Sequence, residues 1–409
     1  MSDLEALYRD LHSHPELAFA EHRTAGIVTD RLVELGFAVT TGIGGTGVVG
    51  VLANGAGPTV LLRADMDALP VLEDTGLAWA STDTATDHTG KVVPVMHACG
   101  HDIHITCLIG AVEALVENRA DWSGTLIALF QPGEEHGGGA QVMVEDGLYE
   151  KVPVPDVVLG QHVLPLPAGM LGAHPGAALA AVDTMEVTLH GRGGHGSQPE
   201  TTIDPVVMAA ATVMRLQTVV SREISPQQTA VVTVGSMHAG SANNIIAKEA
   251  ALGISVRSFS EDVRSQVLES VERVISAEAV ASGATRPPTI EWGERYPVTM
   301  NDLAATERTI AAFAAAFGED RLFDPGALSG SEDVGNLATA ATAAKGSTVP
   351  LVYWILGGTD PEAIAAARAA GTVGTDIPTN HSPHFAPIAQ PTIDTGVRAL
   401  VVAAREWLA

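Results

Sequence analysis

Three runs of this chain are apolar almost without interruption, and each ends on polar, chemically capable residues. Thr59-Val60-Leu61-Leu62-Arg63-Ala64 leads to Asp65-Met66-Asp67. Gly124-Thr125-Leu126-Ile127-Ala128-Leu129-Phe130 leads to Gln131-Pro132-Gly133-Glu134-Glu135, and Val157-Val158-Leu159-Gly160 leads to Gln161-His162. A strand with one wet face alternates polar and apolar residues; runs like these are buried on both faces, as in a largely parallel sheet covered by helices. Such sheets bind ligands beyond the carboxyl ends of their strands. Asp65, Asp67, Glu134, Glu135 and His162 all fall at those ends, which supports a single site.

Around the strands the pattern is helical. Residues 3–35 read as a helix broken near Pro15, and another helix is expected from about Ile103 to Asn118. Near residue 183 the character changes. Asp183-Thr184-Met185-Glu186-Val187-Thr188-Leu189-His190 alternates like a half-exposed strand. A helix from about Asp204 to Glu223 follows, then strands at 229–235 and 250–259, a helix at 261–282 and a strand at 289–292. The order β-α-β-β-α-β is ferredoxin-like. After Pro297 the chain looks α/β again, with helices near 303–317 and 392–408 and Ala-rich helical pieces near 311–316, 338–344 and 363–370. The expected fold class is therefore α/β. A catalytic domain of residues 1–182 and 297–409 carries a mixed, mostly parallel sheet flanked by helices, and residues 183–296 form an inserted α+β domain. A length of 409 residues suits two domains.

Charge narrows the partners. With 22 basic against 48 acidic residues the net charge is −26, a surface that repels nucleic acid and anionic lipid. No stretch of about 18 apolar residues appears, so no membrane span is expected. The start, Met1-Ser2-Asp3-Leu4-Glu5, is polar and does not read as a signal peptide, so a cytoplasmic location is expected. The two cysteines, Cys99 and Cys107, lie in one short segment and do not form a disulfide framework. Cys107 sits in an apolar helical run and reads as a small buried hydrophobe.

Cys99 belongs to His97-Ala98-Cys99-Gly100-His101-Asp102, where a thiol and an imidazole stand two residues apart. Such donors suit zinc, cobalt, nickel or manganese. The Glu134-Glu135 pair and the segments of His162 and His381 add further ligand-type residues, each beside Gly or Pro. A Cys, three His and a Glu could hold two cations, and adjacent glutamates at a strand end point in different directions. One could bind metal while the other faces the bound water as a general base. The pattern suggests a hydrolase that uses metal ions to activate water. His195, in a Gly-rich loop, could stabilise an oxyanion or be a surface histidine. Asn243-Asn244 follows a Gly-Ser turn and could be ordinary turn residues. Arg257 could pair with a substrate carboxylate or with a surface acid.

The chain resembles the dinuclear metallo-amidohydrolases that include bacterial aminoacylases, hippurate hydrolase and the plant hydrolases of auxin–amino-acid conjugates. The resemblance runs over nearly the whole length. It is carried by Asp10-Leu11-His12-Ser13-His14-Pro15-Glu16, Arg63-Ala64-Asp65-Met66-Asp67-Ala68-Leu69-Pro70 and His97-Ala98-Cys99-Gly100-His101-Asp102. Gln131-Pro132-Gly133-Glu134-Glu135, Gly194-His195-Gly196-Ser197-Gln198-Pro199 and Asn380-His381-Ser382-Pro383-His384-Phe385 complete it. The resemblance implies five metal ligands, Cys99, His101, Glu135, His162 and His381, with Cys99 bridging two divalent cations per subunit. It implies Glu134 as general base and Asp67 as the acid that orients a metal-bound histidine. His195 matches an oxyanion histidine that the family supplies from the lid domain of the partner subunit, which makes the inserted domain a lid and dimerisation unit and the protein a homodimer or higher homo-oligomer. Asn244 and Arg257 match substrate-contacting positions. Here the sequence departs from the family: Asn243-Asn244-Ile245-Ile246-Ala247 replaces the commoner Asn-Val-Ile-Pro ending, and Ser255-Val256-Arg257-Ser258 replaces Gly-Thr-Val-Arg-Thr. The implied reaction is hydrolysis of N-acyl L-amino acids. Alternatives are a dipeptidase or carboxypeptidase on the same scaffold, or a metal-binding homologue that has lost catalysis.

Overall fold

A computed structural model describes residues 2–136 and 138–408. The three apolar runs are strands Thr59–Asp65, Gly124–Gln131 and Val157–Pro167, and they pair in parallel with Thr59–Asp65 in the middle. Residues 60–65 are all buried, as an apolar run covered on both faces must be. These strands form the centre of an eight-stranded sheet in the order 38–43, 47–54, 124–131, 59–65, 157–167, 351–359, 171–172, 322–323. Antiparallel pairing at 38–43 with 47–54 and at 47–54 with 124–131 makes the sheet mixed. The expected α/β class with a mostly parallel sheet is what the molecule adopts.

One central strand went unnamed in the sequence. Leu351–Thr359 lies parallel to Val157–Pro167, with eight of its nine residues buried. A short apolar run gives no period that separates strand from buried helix. Its Trp354 is fully buried, sits edge-on to Phe313 at 5.3 Å and donates Nε1–H to Gln161 Oε1 at 3.1 Å.

Helices cover the sheet. His101–Glu117 is buried along almost its whole circumference, and its apolar composition on all sides suits a helix enclosed by neighbours. Ala389–Arg405 instead buries one stripe, through Ile393, Ala399, Leu400 and Ala403. Burying each such Leu or Ile is worth about 1.5–3 kcal/mol.

The chain divides into two compact units. The first comprises Met1–Ala178, Met300–Gly326 and Asp333–Ala409, and the second Leu179–Thr299 and Ala327–Glu332. The second unit holds a four-stranded antiparallel sheet in the order 230–239, 249–258, 181–190, 289–296. With helices Pro205–Thr218 and Glu261–Ala281, this is the ferredoxin-like arrangement. Glu249–Ser258 alternates in burial at every residue, as a half-covered strand should. Ala230–Ala239 is an edge strand and exposes Val231 and Met237, while Pro205–Thr218 exposes Val207 and Met214.

Asp183, fully buried in the second unit, receives two bonds from Arg264 (2.7 and 2.8 Å) and one from Arg295 (2.8 Å). Removing the acid leaves the mostly buried Arg264 without its main counter-charge. Asp183→Ala is expected to destabilise the protein by about 3 kcal/mol. Urea unfolding of the full chain checks this, and an unshifted transition would show that the cluster contributes nothing.

Candidate metal centre

The thiol–imidazole pair is turned inward by a glycine. Gly100 caps the helix His101–Glu117 with a φ of 79°, and a Cβ there would lie 2.4 Å from Val163 Cγ1. No L side chain fits, so the chain can make this tight entry only with glycine. Cys99 on the loop and His101 on the first helical turn thereby reach the same place. The ligand atoms of Cys99, His101 and His162 lie within 4.8 Å of one another. So do those of Cys99, Glu135 and His381, and those of His101, Glu134 and Glu135. Cys99 is common to the first two groups. The five residues that the resemblance marks as ligands are therefore together, with Glu134 beside them.

Hydrogen bonds set which atom each ligand offers. His101 Nδ1 donates to Asp67 O at 2.8 Å, and His162 Nδ1 donates to Val163 O at 2.9 Å, so both rings turn Nε2 toward the cluster. His162 Nε2 is 3.6 Å from Cys99 Sγ, and His381 Nε2 is 3.3 Å from Glu135 Oε1. His101 Nε2 and Glu135 Oε1 are buried and have no hydrogen-bond partner among the described residues. Buried polar atoms are nearly always satisfied. A buried imidazole nitrogen without a hydrogen-bond partner, beside a thiol and a carboxylate, is what a cation of borderline softness would take up, so the residues fit a metal.

A further cluster, Asp65, His101 and His104, has different chemistry. His104 Nδ1 bonds Asp65 Oδ1 at 2.5 Å, while its Nε2 accepts the Val163 N–H at 2.8 Å. Both nitrogens are occupied, so His104 is a strut behind the site. Asp67 holds two ligands at once. Besides its carbonyl on His101, its Oδ2 accepts the Glu135 N–H at 2.8 Å.

Burial raises the Cys99 thiol above its ordinary value, and the charge of Glu135 adds to the effect. Burial opposes charge on His101, but Asp65 and Asp67 outweigh it and hold the ring well above the usual imidazole range. Contacts with Cys99 and Glu135 lift His381 to about 10. Burial pushes His162 the other way, well below the ordinary value, with the neighbouring His104 acting in the same direction. A cation taking the nitrogens of His101 and His381 would have to displace their protons.

The other expected residues lie in the second unit. Exposed His195 pairs with Ile245 in a two-residue ladder. Its Nδ1 accepts the Ser197 N–H at 3.1 Å and contacts Ser197 Oγ at 2.7 Å, which leaves the neutral ring's proton on Nε2. Asn244 O accepts the Gly196 N–H at 2.8 Å, so Asn244 and His195 share one loop cluster. Arg257 pairs with no acid among the described residues. Its Nη1 donates to Ser329 O at 2.7 Å and Ser331 Oγ at 3.0 Å.

Sequence reasoning missed Asn380 and His12. Asn380 Nδ2 donates to Cys99 O at 3.2 Å and Val163 O at 3.1 Å. His12 is buried between Asp102 at 2.6 Å and Glu73 at 3.1 Å, and these acids overcome burial to lift it to about 10. Both stand in the quoted motifs, but nothing in their spacing reports their partners.

Comparison with known proteins bears on this geometry. Peptidase family M20/M25/M40 matches residues 61–369. A hippurate hydrolase of Campylobacter jejuni is 39% identical over 336 residues, covering 81% of this chain and 84% of the relative. A thermostable carboxypeptidase of Saccharolobus solfataricus is 37% identical over 308 residues, covering 74% and 75%. The Bacillus subtilis YXEP protein, described as a dinuclear metal binding peptidase from the M20 family, superposes with a TM-score of 0.74 at 28% identity, covering 99% of this chain and 98% of the other. A cluster of thiol, imidazole and carboxylate donors at the carboxyl ends of a parallel sheet, inside so long a match, makes this chain a member of peptidase family M20/M25/M40.

Proposed function

We propose that this hydrolase cleaves the amide bond of N-acyl L-amino acids, releasing a carboxylic acid and a free amino acid. The observation that carries the reading is the convergence of Cys99, His101, Glu135, His162 and His381 with Glu134 adjoining them. These five would hold two divalent cations, with Cys99 shared; zinc, manganese, cobalt and nickel all suit the donors. Bound there, the cations would polarise the scissile carbonyl and acidify water. Glu134, nearly buried, takes the proton of the attacking water and passes it to the leaving nitrogen. Asp67 keeps His101 and the Glu135 backbone in place. His195 presents Nε2–H to the oxyanion, reaching the centre of a neighbouring subunit. Arg257 and Asn244 hold the substrate carboxylate; Arg257 has no carboxylate at ion-pair distance among the described residues.

In this reading residues 1–182 and 297–409 are the catalytic domain, and 183–296 the lid through which two copies associate. The open edge of Ala230–Ala239 and the exposed Val207 and Met214 support it, since unpaired edges and apolar side chains favour association. The free Cys99 and Cys107 fit a reducing cytoplasm. No described helix is long and apolar enough to cross a membrane. A carboxypeptidase or dipeptidase is the second reading, favoured by the match to the thermostable carboxypeptidase.

N-Acetyl and N-benzoyl amino acids are expected to be cleaved with a higher kcat/KM than dipeptides; a preference for dipeptides would select the second reading. Glu134→Gln and His195→Ala are each expected to lose about 100-fold or more in turnover, Glu134→Gln with metal retained. Mixing the two inactive proteins should restore about a quarter of wild-type activity if His195 works across the dimer, and no recovery would confine it to its own subunit. Because a cation must displace protons from His101 and His381, zinc affinity should rise with pH toward His381's value of about 10. Calorimetry in buffers of different ionisation enthalpy reads the released protons. Equal affinity at pH 6 and pH 8 would remove these rings as ligands.

A further inference from the structure

Glu21 is a fully buried carboxylate that the reaction described above does not use. It stands at the N-cap of the helix His22–Glu34, yet its side chain makes no capping bond there. That work is done by Glu16, whose oxygens accept the Arg23 and Thr24 N–H groups, each at 2.8 Å. Glu21 instead turns toward the site. Its Oε1 accepts the Gly133 N–H and the Phe19 N–H, both at 2.9 Å, and its Oε2 takes the Thr46 hydroxyl. Phe19 has a φ of 61°, rare for a bulky residue, and its ring lies against Gly133, where a Cβ would come within 2.5 Å of it. Gly133 itself has a φ of 59°. A strained aromatic and a buried acid thus press on one peptide of the segment that carries Glu134.

The placement is symmetric about that residue. On its carboxyl side, Asp67 Oδ2 accepts the Glu135 N–H at 2.8 Å. On its amino side, Glu21 Oε1 accepts the Gly133 N–H. Burying an acid is costly unless the position needs it, and the helix that Glu21 starts does not. We propose that Glu21 is a positioning residue for amide hydrolysis, clamping the Gly133 peptide so that, with Asp67 on the other side, it sets where the Glu134 carboxylate points. The inference rests on Glu134 being the general base.

The clamp needs acceptors more than a charge. Burial, helped by the charge of Asp67, lifts the Glu21 carboxyl to about 7, so a neutral side chain is close to what the position already holds. Glu21→Gln keeps an oxygen for both N–H groups, and Thr46 can rotate to accept its amide. Glu21→Ala removes the clamp.

The test is a double-mutant cycle of Glu21→Ala with Glu134→Asp, with Glu21→Gln alongside, scored for kcat, KM, metal content and melting temperature. Glu21→Ala is expected to lose about 10- to 100-fold in kcat, with KM changed less than about threefold and metal retained. Glu21→Gln should recover most of kcat. With Glu134→Asp the losses should be less than multiplicative, because a base already displaced loses little more when its clamp is removed. Losses that multiply, or a Glu21→Gln as slow as Glu21→Ala, overturn the proposal. If Glu21→Ala does not fold, Glu21→Asp, one methylene too short for Gly133, takes its place in the cycle. Full activity of Glu134→Gln would remove the base reading itself. Full activity of Glu21→Ala beside an impaired Glu134→Asp removes only the role of Glu21.

Discussion

The candidate metal centre depends on Asp67. It follows the central strand Thr59–Asp65 and is almost completely buried. Its carbonyl accepts the hydrogen bond of His101 Nδ1–H, and its carboxylate accepts the N–H of Glu135. One residue therefore sets the orientation of an imidazole from a helix and the backbone of a carboxylate from a loop. Burial raises its carboxyl above the ordinary value, so the position carries an energetic cost. What offsets it is geometric: a rigid strand end fixes two donors relative to each other, which ligands carried on free loops could not achieve.

Behind Asp67 lies a second buried layer. Arg63 donates to Gln131 at 2.9 Å, to Asp65 at 2.7 Å and to Tyr353 at 3.2 Å, and approaches Asp333 at 3.4 Å. Asp333 in turn accepts the Ala140 N–H at 2.8 Å, near the start of the helix Gly139–Glu145. Desolvating ions costs several kcal/mol each, so such a layer contributes little net stability. Its effect is on register: strands 59–65, 124–131 and 351–359 and a following helix are locked together beneath the donors. Asp65 extends the lock through His104 to Val163, whose backbone also receives His162 and Asn380.

The sequence was legible where one residue reports its own environment. Apolar runs such as Thr59–Ala64 announced double-sided burial, and the pairing of a thiol with an imidazole two residues on marked a candidate metal site. Alternation in 183–190 marked the first strand of the second sheet, and the motifs marked candidate ligands through the resemblance to a known family. What stayed hidden needed a partner far along the chain. Leu351–Thr359 has no period of its own, and only pairing with Val157–Pro167 makes it a strand. Asp333 and His12 act through residues hundreds or tens of positions away. The partners of Arg257 were hidden for the same reason, since Ser329 and Ser331 lie 72 and 74 positions further on.

The spread of the donors along the chain has a consequence for assembly. Cys99 and His101 are neighbours, but Glu135, His162 and His381 arrive on separate segments, the last close to the end of the sequence. A nascent or partly unfolded chain can offer a cation only the Cys-x-His pair, a weak and promiscuous chelate. The complete set exists only once Leu351–Thr359 has entered the sheet and the loop of Asn380 has closed on Ala98 and Cys99. Capture of a cation would then close folding rather than template it. A bound ion would act as a latch on topology, making the finished fold slower to open without having guided its formation.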